Sequence, residues 1–141
     1  MTYLRLTLAS IGGFVAYMAF GGAIFAIIPS LKDEFAKYPA VYRSQAGQLS
    51  HMPVGMVGMF LSVIALTLIY ARTSRDGSGL IEGAIFGVLT GVFAIGSFVL
   101  HNYVNMNIGI EITLQSSIVY LVQWTLVGAV IGMVCGLPQL H

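Results

Sequence analysis

Four long stretches of almost uninterrupted apolar residues divide the chain, and polar or charged segments separate them. Each stretch has about 20 residues, enough to cross a bilayer as an α-helix, whereas a spanning strand needs only about ten. The pattern therefore predicts an all-α integral membrane protein, a four-transmembrane-helix bundle that forms a single membrane domain over residues 1–141. The predicted spans cover about residues 6–28, 53–71, 80–100 and 112–135.

Residues at the ends of these stretches are those that start and stop helices. Pro29 follows the first stretch, and Pro53 stands at the start of the second, where a first helical turn tolerates proline. Gly136 and Pro138 follow the fourth stretch and form a helix stop signal. The spans are therefore expected to be separate helices joined by short connections.

Composition narrows the class of protein further. The chain is 57% hydrophobic and 8% charged, with a mean hydropathy of +0.90, whereas soluble domains carry roughly 25% charged residues. The lipid bilayer is thus the first predicted partner. A net charge of +1 with scattered cations excludes a basic surface for nucleic acid. The single cysteine, Cys135, allows no intrachain disulfide and no CxxC motif.

Orientation depends on the lysines and arginines beside the spans, which tie between the two sides. Arg5, Arg72 and Arg75 lie on the side of both termini, and Lys32, Lys37 and Arg43 lie on the other. Because Arg5 and Arg72 adjoin spans and Arg72 and Arg75 share a tight loop, we expect both termini in the cytoplasm of a bacterium, with the chain in its inner membrane. The long loop over residues 30–52 is expected to lie partly along the opposite membrane surface.

Small residues recur at helical spacing in every span, and most regularly in the last two. Helices in lipid associate where small residues let backbones approach closely. We therefore expect one small-residue face per helix, turned towards a neighbouring helix. The third span presents Gly79, Gly83, Gly87 and Gly91, and the fourth presents Gly128, Gly132 and Gly136. The first presents Thr7, Ser10, Gly13, Tyr17 and Gly21, and the second presents Gly55, Gly58 and Ser62.

Gln123 departs from this pattern because it lies mid-span, on the side of the fourth helix opposite its glycines. An amide without a hydrogen bond in hydrocarbon costs a few kcal/mol. Gln123 is therefore expected to bond either another helix of the same chain or a helix of a partner. The second alternative would indicate a homo-oligomer or a larger membrane complex.

Three residues with metal-ligand chemistry fall at the same membrane surface. His51 precedes the second span, His101 ends the third on its glycine side, and Glu111 begins the fourth. One hypothesis is a metal or haem site, since two histidines at equal depth could ligate one transition-metal ion or one haem iron. The alternative is that the histidines bond water or headgroups and that Glu111 is an acidic first-turn residue.

The order of these features resembles that of small four-helix membrane proteins of bacteria. The resemblance is carried by the glycine-rich first span, Tyr42-Arg43, Met52-Pro53, the glycine repeat of the third span, and Trp124 in the fourth. These proteins are uncharacterised, so the resemblance implies a fold and brings no functional residue with it.

No nucleophile elbow, phosphate-binding loop or activated serine or cysteine is present in the sequence. The leading hypothesis is a membrane protein without catalytic motif that acts through helix contacts, as an accessory subunit or homo-oligomer. The alternatives are a haem or metal binder using His51 and His101, and a small-solute or ion transporter.

Overall fold

The computed structural model describes residues 2–74 and 79–137, and Arg75 and Pro138 lie outside these residues. The described part consists of helices and turns, without strands. Its helices are α1 (Tyr3–Ile27), α2 (Ser30–Ala36), α3 (Gln45–Thr73), α4 (Leu80–Ala94), α5 (His101–Asn105) and α6 (Ile110–Cys135). A π-helical segment, Ile95–Leu100, joins α4 to α5 so that 80–105 forms one long helix.

Four helical segments are long and apolar enough to cross a membrane. They are α1, α3, the long helix over 80–105, and α6. The predicted fold class, an all-α four-helix membrane bundle, is confirmed, and the chain is a multi-pass membrane protein. The termini end of the bundle carries Tyr3, Thr73, Leu80 and Cys135, and the long-loop end carries α2.

The bundle is built around α6, which packs most extensively on α4 and next on α1. Helix α3 packs on α1 and touches α6 much less. Along their contacts the spans therefore follow the order α4, α6, α1, α3. Val63 of α3 and Ile131 of α6 are both fully buried, and a methyl group placed on Gly13 of α1 would touch both side chains.

Backbone touches backbone where α4 crosses α6. A Cβ atom added to Gly87 would lie 2.7 Å from Thr125 Cα, and one added to Gly128 would lie 2.6 Å from Gly87 Cα. Real Cβ atoms do not approach so closely, so the spacing between these helices requires glycine. This is the close approach that small residues permit between helices in lipid.

Helix α3 begins earlier than the hydropathy pattern indicates. Its N-cap is Ser44, whose Oγ accepts a hydrogen bond from Gly47 N at 3.3 Å. Pro53, expected in the first turn, lies inside the helix. The expectation was wrong because the polar first turns of α3 carry no hydrophobic signal, although they are capped like any helix start.

The loop after α1 folds back onto the start of α6. Leu31 and Glu34 of α2 are buried, and Glu34 pairs with Lys37. The hydroxyl of Tyr38 accepts a hydrogen bond from Gly109 N at 2.9 Å, just before α6 begins. The long loop is therefore fixed to the bundle at this end.

Candidate functional site

The glycines of α4 and α6 lie at the contact between these two helices. Gly83, Gly87, Gly91, Gly128 and Gly132 are all buried or in contact with the facing backbone. The carbonyl of Gly79 lies against Gly132. Gly136 is exposed and ends α6, donating its N–H to Gly132 O at 2.9 Å. Both glycine stripes are thus directed at each other within one chain.

Gln123 lies on the opposite side of α6, where α1 packs. Its Nε2 donates a hydrogen bond to the Tyr17 carbonyl at 3.0 Å, and the residue is 4% exposed. Of the two partners that the sequence left open, the structure places Gln123 against the same chain. Gln123 is therefore a contact between α1 and α6, and an oligomer needs another surface.

Trp124 lies beside it in the same core. Its ring is 5.5 Å from the Tyr17 ring, centroid to centroid, and the residue is 7% exposed. The indole nitrogen is buried and has no hydrogen-bond partner in the described part of the chain. The ring therefore fills space between α1 and α6.

The residues considered for a metal site lie at the surface of the bundle. His51, His101 and Glu111 are all exposed. Within residues 2–74 and 79–137, no group of three His, Cys, Asp or Glu side chains could hold a metal ion. His51, His101 and Glu111 therefore form no such group, and a metal ion or haem held by the two histidines stays a prediction.

The two histidines lie on different helices. His101 follows the π-helical segment Ile95–Leu100 of the long helix and is exposed. His51 lies in the exposed first half of α3, where its Nδ1 is 2.9 Å from Gly47 O of its own helix.

The small-residue face of α3, defined by Gly55, Gly58 and Ser62, is the surface that the chain leaves open. A Cβ atom added to Gly55 or Gly58 would meet nothing within 4 Å, and Ser62 is exposed. The expectation that this face turns inward is wrong. Helix α3 instead buries Val63, Thr67 and Tyr70, whose side lies about 110° around the helix from the glycines at 100° per residue.

Hydropathy could not distinguish these two sides of α3, since both are apolar. The spacing of Val63, Thr67 and Tyr70 at i, i+4 and i+7 marks one side of a helix, and Gly55, Gly58 and Ser62 at i, i+3 and i+7 mark another equally well. Ser62 also satisfies its own hydroxyl, donating to Gly58 O at 3.0 Å. The small-residue face of α3 therefore presents a flat apolar surface.

Comparison of the chain with protein families, with curated proteins and with solved structures finds no match. The candidate site consequently rests on the geometry of this chain alone.

Proposed function

We propose that this protein acts through helix contacts in the membrane, as a homo-oligomer or an accessory subunit, and that the small-residue face of α3 binds the partner helix. The observation that carries the proposal is the open space at Gly55 and Gly58. We also propose a bacterial inner membrane with both termini in the cytoplasm, which Arg5 and Arg72 at the termini end support.

Glycine at these positions has a cost in helix stability that no contact in the described part of the chain offsets. A glycine inside a helix is less favourable than alanine by about 1 kcal/mol. At Gly87 the close approach of α6 accounts for the glycine, since a Cβ atom would strike Thr125. At Gly55 and Gly58 no neighbour among residues 2–74 and 79–137 does so, and a second helix in close contact would supply the reason.

Gly22 and Gly96 are also open but stand singly, whereas Gly55, Gly58 and Ser62 form one face. The glycines of α4 and α6 pack against each other, and Gly13 of α1 faces Val63 and Ile131. Gln123, the polar group most suited to an interhelical bond, is bonded to Tyr17. These contacts direct the proposed partner to α3.

The proposal is tested by placing a photoreactive amino acid at Ser62 and irradiating native membranes. The matched control carries it at Leu89, a residue of α4 that is 64% exposed. We expect a protein adduct of defined mass from the Ser62 position and none from the Leu89 position. A mass of twice the chain indicates a homo-oligomer, and another mass indicates a subunit of a different complex.

A substitution that blocks the small-residue face of α3 provides a second test. Gly58→Leu fills the small-residue face at a position where a Cβ atom meets nothing within 4 Å, and it should abolish the adduct. Gly22→Leu is the control, because a Cβ atom at Gly22 of α1 also meets nothing within 4 Å. Equal crosslinking in both variants, or no protein adduct from the Ser62 position in the unsubstituted chain, would overturn the proposal.

A further inference from the structure

A groove runs between α1 and α3 on a different side of α3 from its small-residue face. Its half nearer the middle of α3 is lined by Ile11, Phe14, Met56, Val57 and Phe60. Its half nearer the termini end is lined by Tyr3, Leu6, Thr7, Ser10, Ile11, Phe60, Ile64 and Leu68. Ile11 and Phe60 line both halves, so the two halves adjoin.

The lining is suited to hydrocarbon. The rings of Phe14 and Phe60 pack edge to face with centroids 5.3 Å apart, which joins the two walls. Thr7 and Ser10 donate their hydroxyls to Tyr3 O and Leu6 O of their own helix, at 3.0 and 2.8 Å. Since these polar groups are satisfied, an occupant needs no hydrogen-bonding atoms along the groove.

The length of the groove matches one leaflet of a bilayer. From Met56 to Leu68 the rise along α3 is about 18 Å at 1.5 Å per residue. Half of a hydrocarbon core of about 30 Å is roughly 15 Å. An acyl chain that enters the groove at the termini end would therefore extend along it to about the middle of the membrane.

A positive charge lies where such a chain would emerge. Arg72 follows Leu68 by one helical turn on the same side of α3, and it is exposed. A guanidinium group binds phosphate through two parallel hydrogen bonds. The groove thus joins an apolar slot to a cation at the headgroup level.

We infer that the groove binds one acyl chain of an anionic phospholipid, whose headgroup phosphate lies at Arg72. An anionic lipid is favoured over a zwitterionic one because no ammonium group of the headgroup competes with the arginine for the phosphate. This inference does not depend on the proposed helix partner, which would occupy another side of α3.

Native mass spectrometry of the purified protein in mild detergent tests the inference. The protein is mixed with phosphatidylglycerol or with phosphatidylcholine at equal concentration, and the lipid-bound fraction is measured. We expect phosphatidylglycerol to be retained preferentially, and Arg72→Gln to weaken its binding about fivefold, the contribution of one basic residue near a lipid surface. Arg43→Gln removes an exposed arginine from the long-loop end and should change nothing.

A second pair of variants tests the groove itself. Val57→Phe places a ring in the groove, whereas Val92→Phe places the same ring on the surface of α4; the two valines are 62% and 57% exposed. Only Val57→Phe should lower lipid binding, with the fluorescence of Trp124 unchanged as a sign of an intact core. Equal retention of both lipids, or equal behaviour within either pair of variants, would overturn the inference.

Discussion

The side chain of Gln123 on α6 reaches the backbone of Tyr17 on α1, with 3.0 Å between Nε2 and the carbonyl oxygen. This bond ties the two helices together in the middle of the membrane. The Tyr17 carbonyl belongs to a helix, where i to i+4 bonds already engage such oxygens. Removing Gln123 would therefore leave no unsatisfied group behind.

Gln123→Leu should lower the free energy of unfolding in detergent by about 0.6 kcal/mol, the average for polar contacts between membrane helices. Gln115→Leu makes the same change on α6 at a residue whose Oε1 has no hydrogen-bond partner in the described part of the chain, so it should not destabilise. Reversible unfolding in mixed micelles measures both. An equal effect of the two variants would show that the bond to Tyr17 does not stabilise the bundle.

Gly87→Ala should separate α4 from α6. Its new methyl group would lie 2.7 Å from Thr125 Cα, and a backbone atom cannot rotate away as a side chain can. Overpacking of this kind costs about 1–3 kcal/mol, to be measured by the same unfolding assay. Gly22→Ala meets nothing within 4 Å and is expected to be neutral or slightly stabilising; comparable losses in the two proteins would argue against backbone contact at Gly87.

Trp124→Phe should be tolerated well, since it removes an indole N–H that has no partner among the described residues. The phenyl ring keeps most of the packing against Tyr17, so the expected loss is about 1 kcal/mol or less. Trp124→Ala empties the site and should cost about 3–5 kcal/mol. If Trp124→Phe lowers the free energy of unfolding as much as Trp124→Ala does, the indole nitrogen must have a hydrogen-bond partner, contrary to the structure described here.

Lys37 provides a test of the contact at the long-loop end. Its hydrogen bond to the Glu34 carboxylate raises the pKa of Lys37 above the ordinary 10.5. A base whose pKa is raised by folding stabilises the folded state fully below its unfolded pKa, and this contribution is lost as the pH rises through the folded pKa. As the pH rises from neutral, the ion pair should therefore persist until the pH exceeds about 10.5.

Titration of the Lys37 ammonium group by NMR in micelles measures this effect. Glu34→Gln should return the pKa of Lys37 towards its ordinary value, because the amide that replaces the carboxylate carries no charge. An unchanged titration in Glu34→Gln would contradict the pairing.

The four spans and the close-packing glycine faces of the third and fourth could be predicted from the sequence because lipid imposes strict demands, although the sequence did not show that these two faces contact each other. Long apolar runs must be helices, and glycine at every fourth position marks a close approach, as Gly83, Gly87 and Gly128 show. The buried side of α3 could not be predicted in the same way. Small residues permit close packing without requiring it, so Gly55 and Gly58 were expected inside the bundle while Val63 and Thr67 fill that position.

The sequence also could not predict which residues the polar side chains contact. The position of Gln123 in mid-span indicated that it forms a hydrogen bond, but it did not identify the Tyr17 carbonyl as the acceptor. Counting spans placed His51 and His101 at the same depth in the membrane, but it does not give the distance between them in the membrane plane.

The central position of α6 has a consequence for how the chain is made. Ribosomes release α1, α3 and α4 into the bilayer before α6 exists, yet α6 is the helix on which α1 and α4 chiefly pack. Until it arrives, the glycines of α4 and the carbonyl side of α1 at Tyr17 face lipid or the insertion machinery. The nascent protein therefore passes through a three-helix stage in which the surfaces of α4 and α1 that later pack on α6 are uncovered. Insertion of a single helix then completes the bundle.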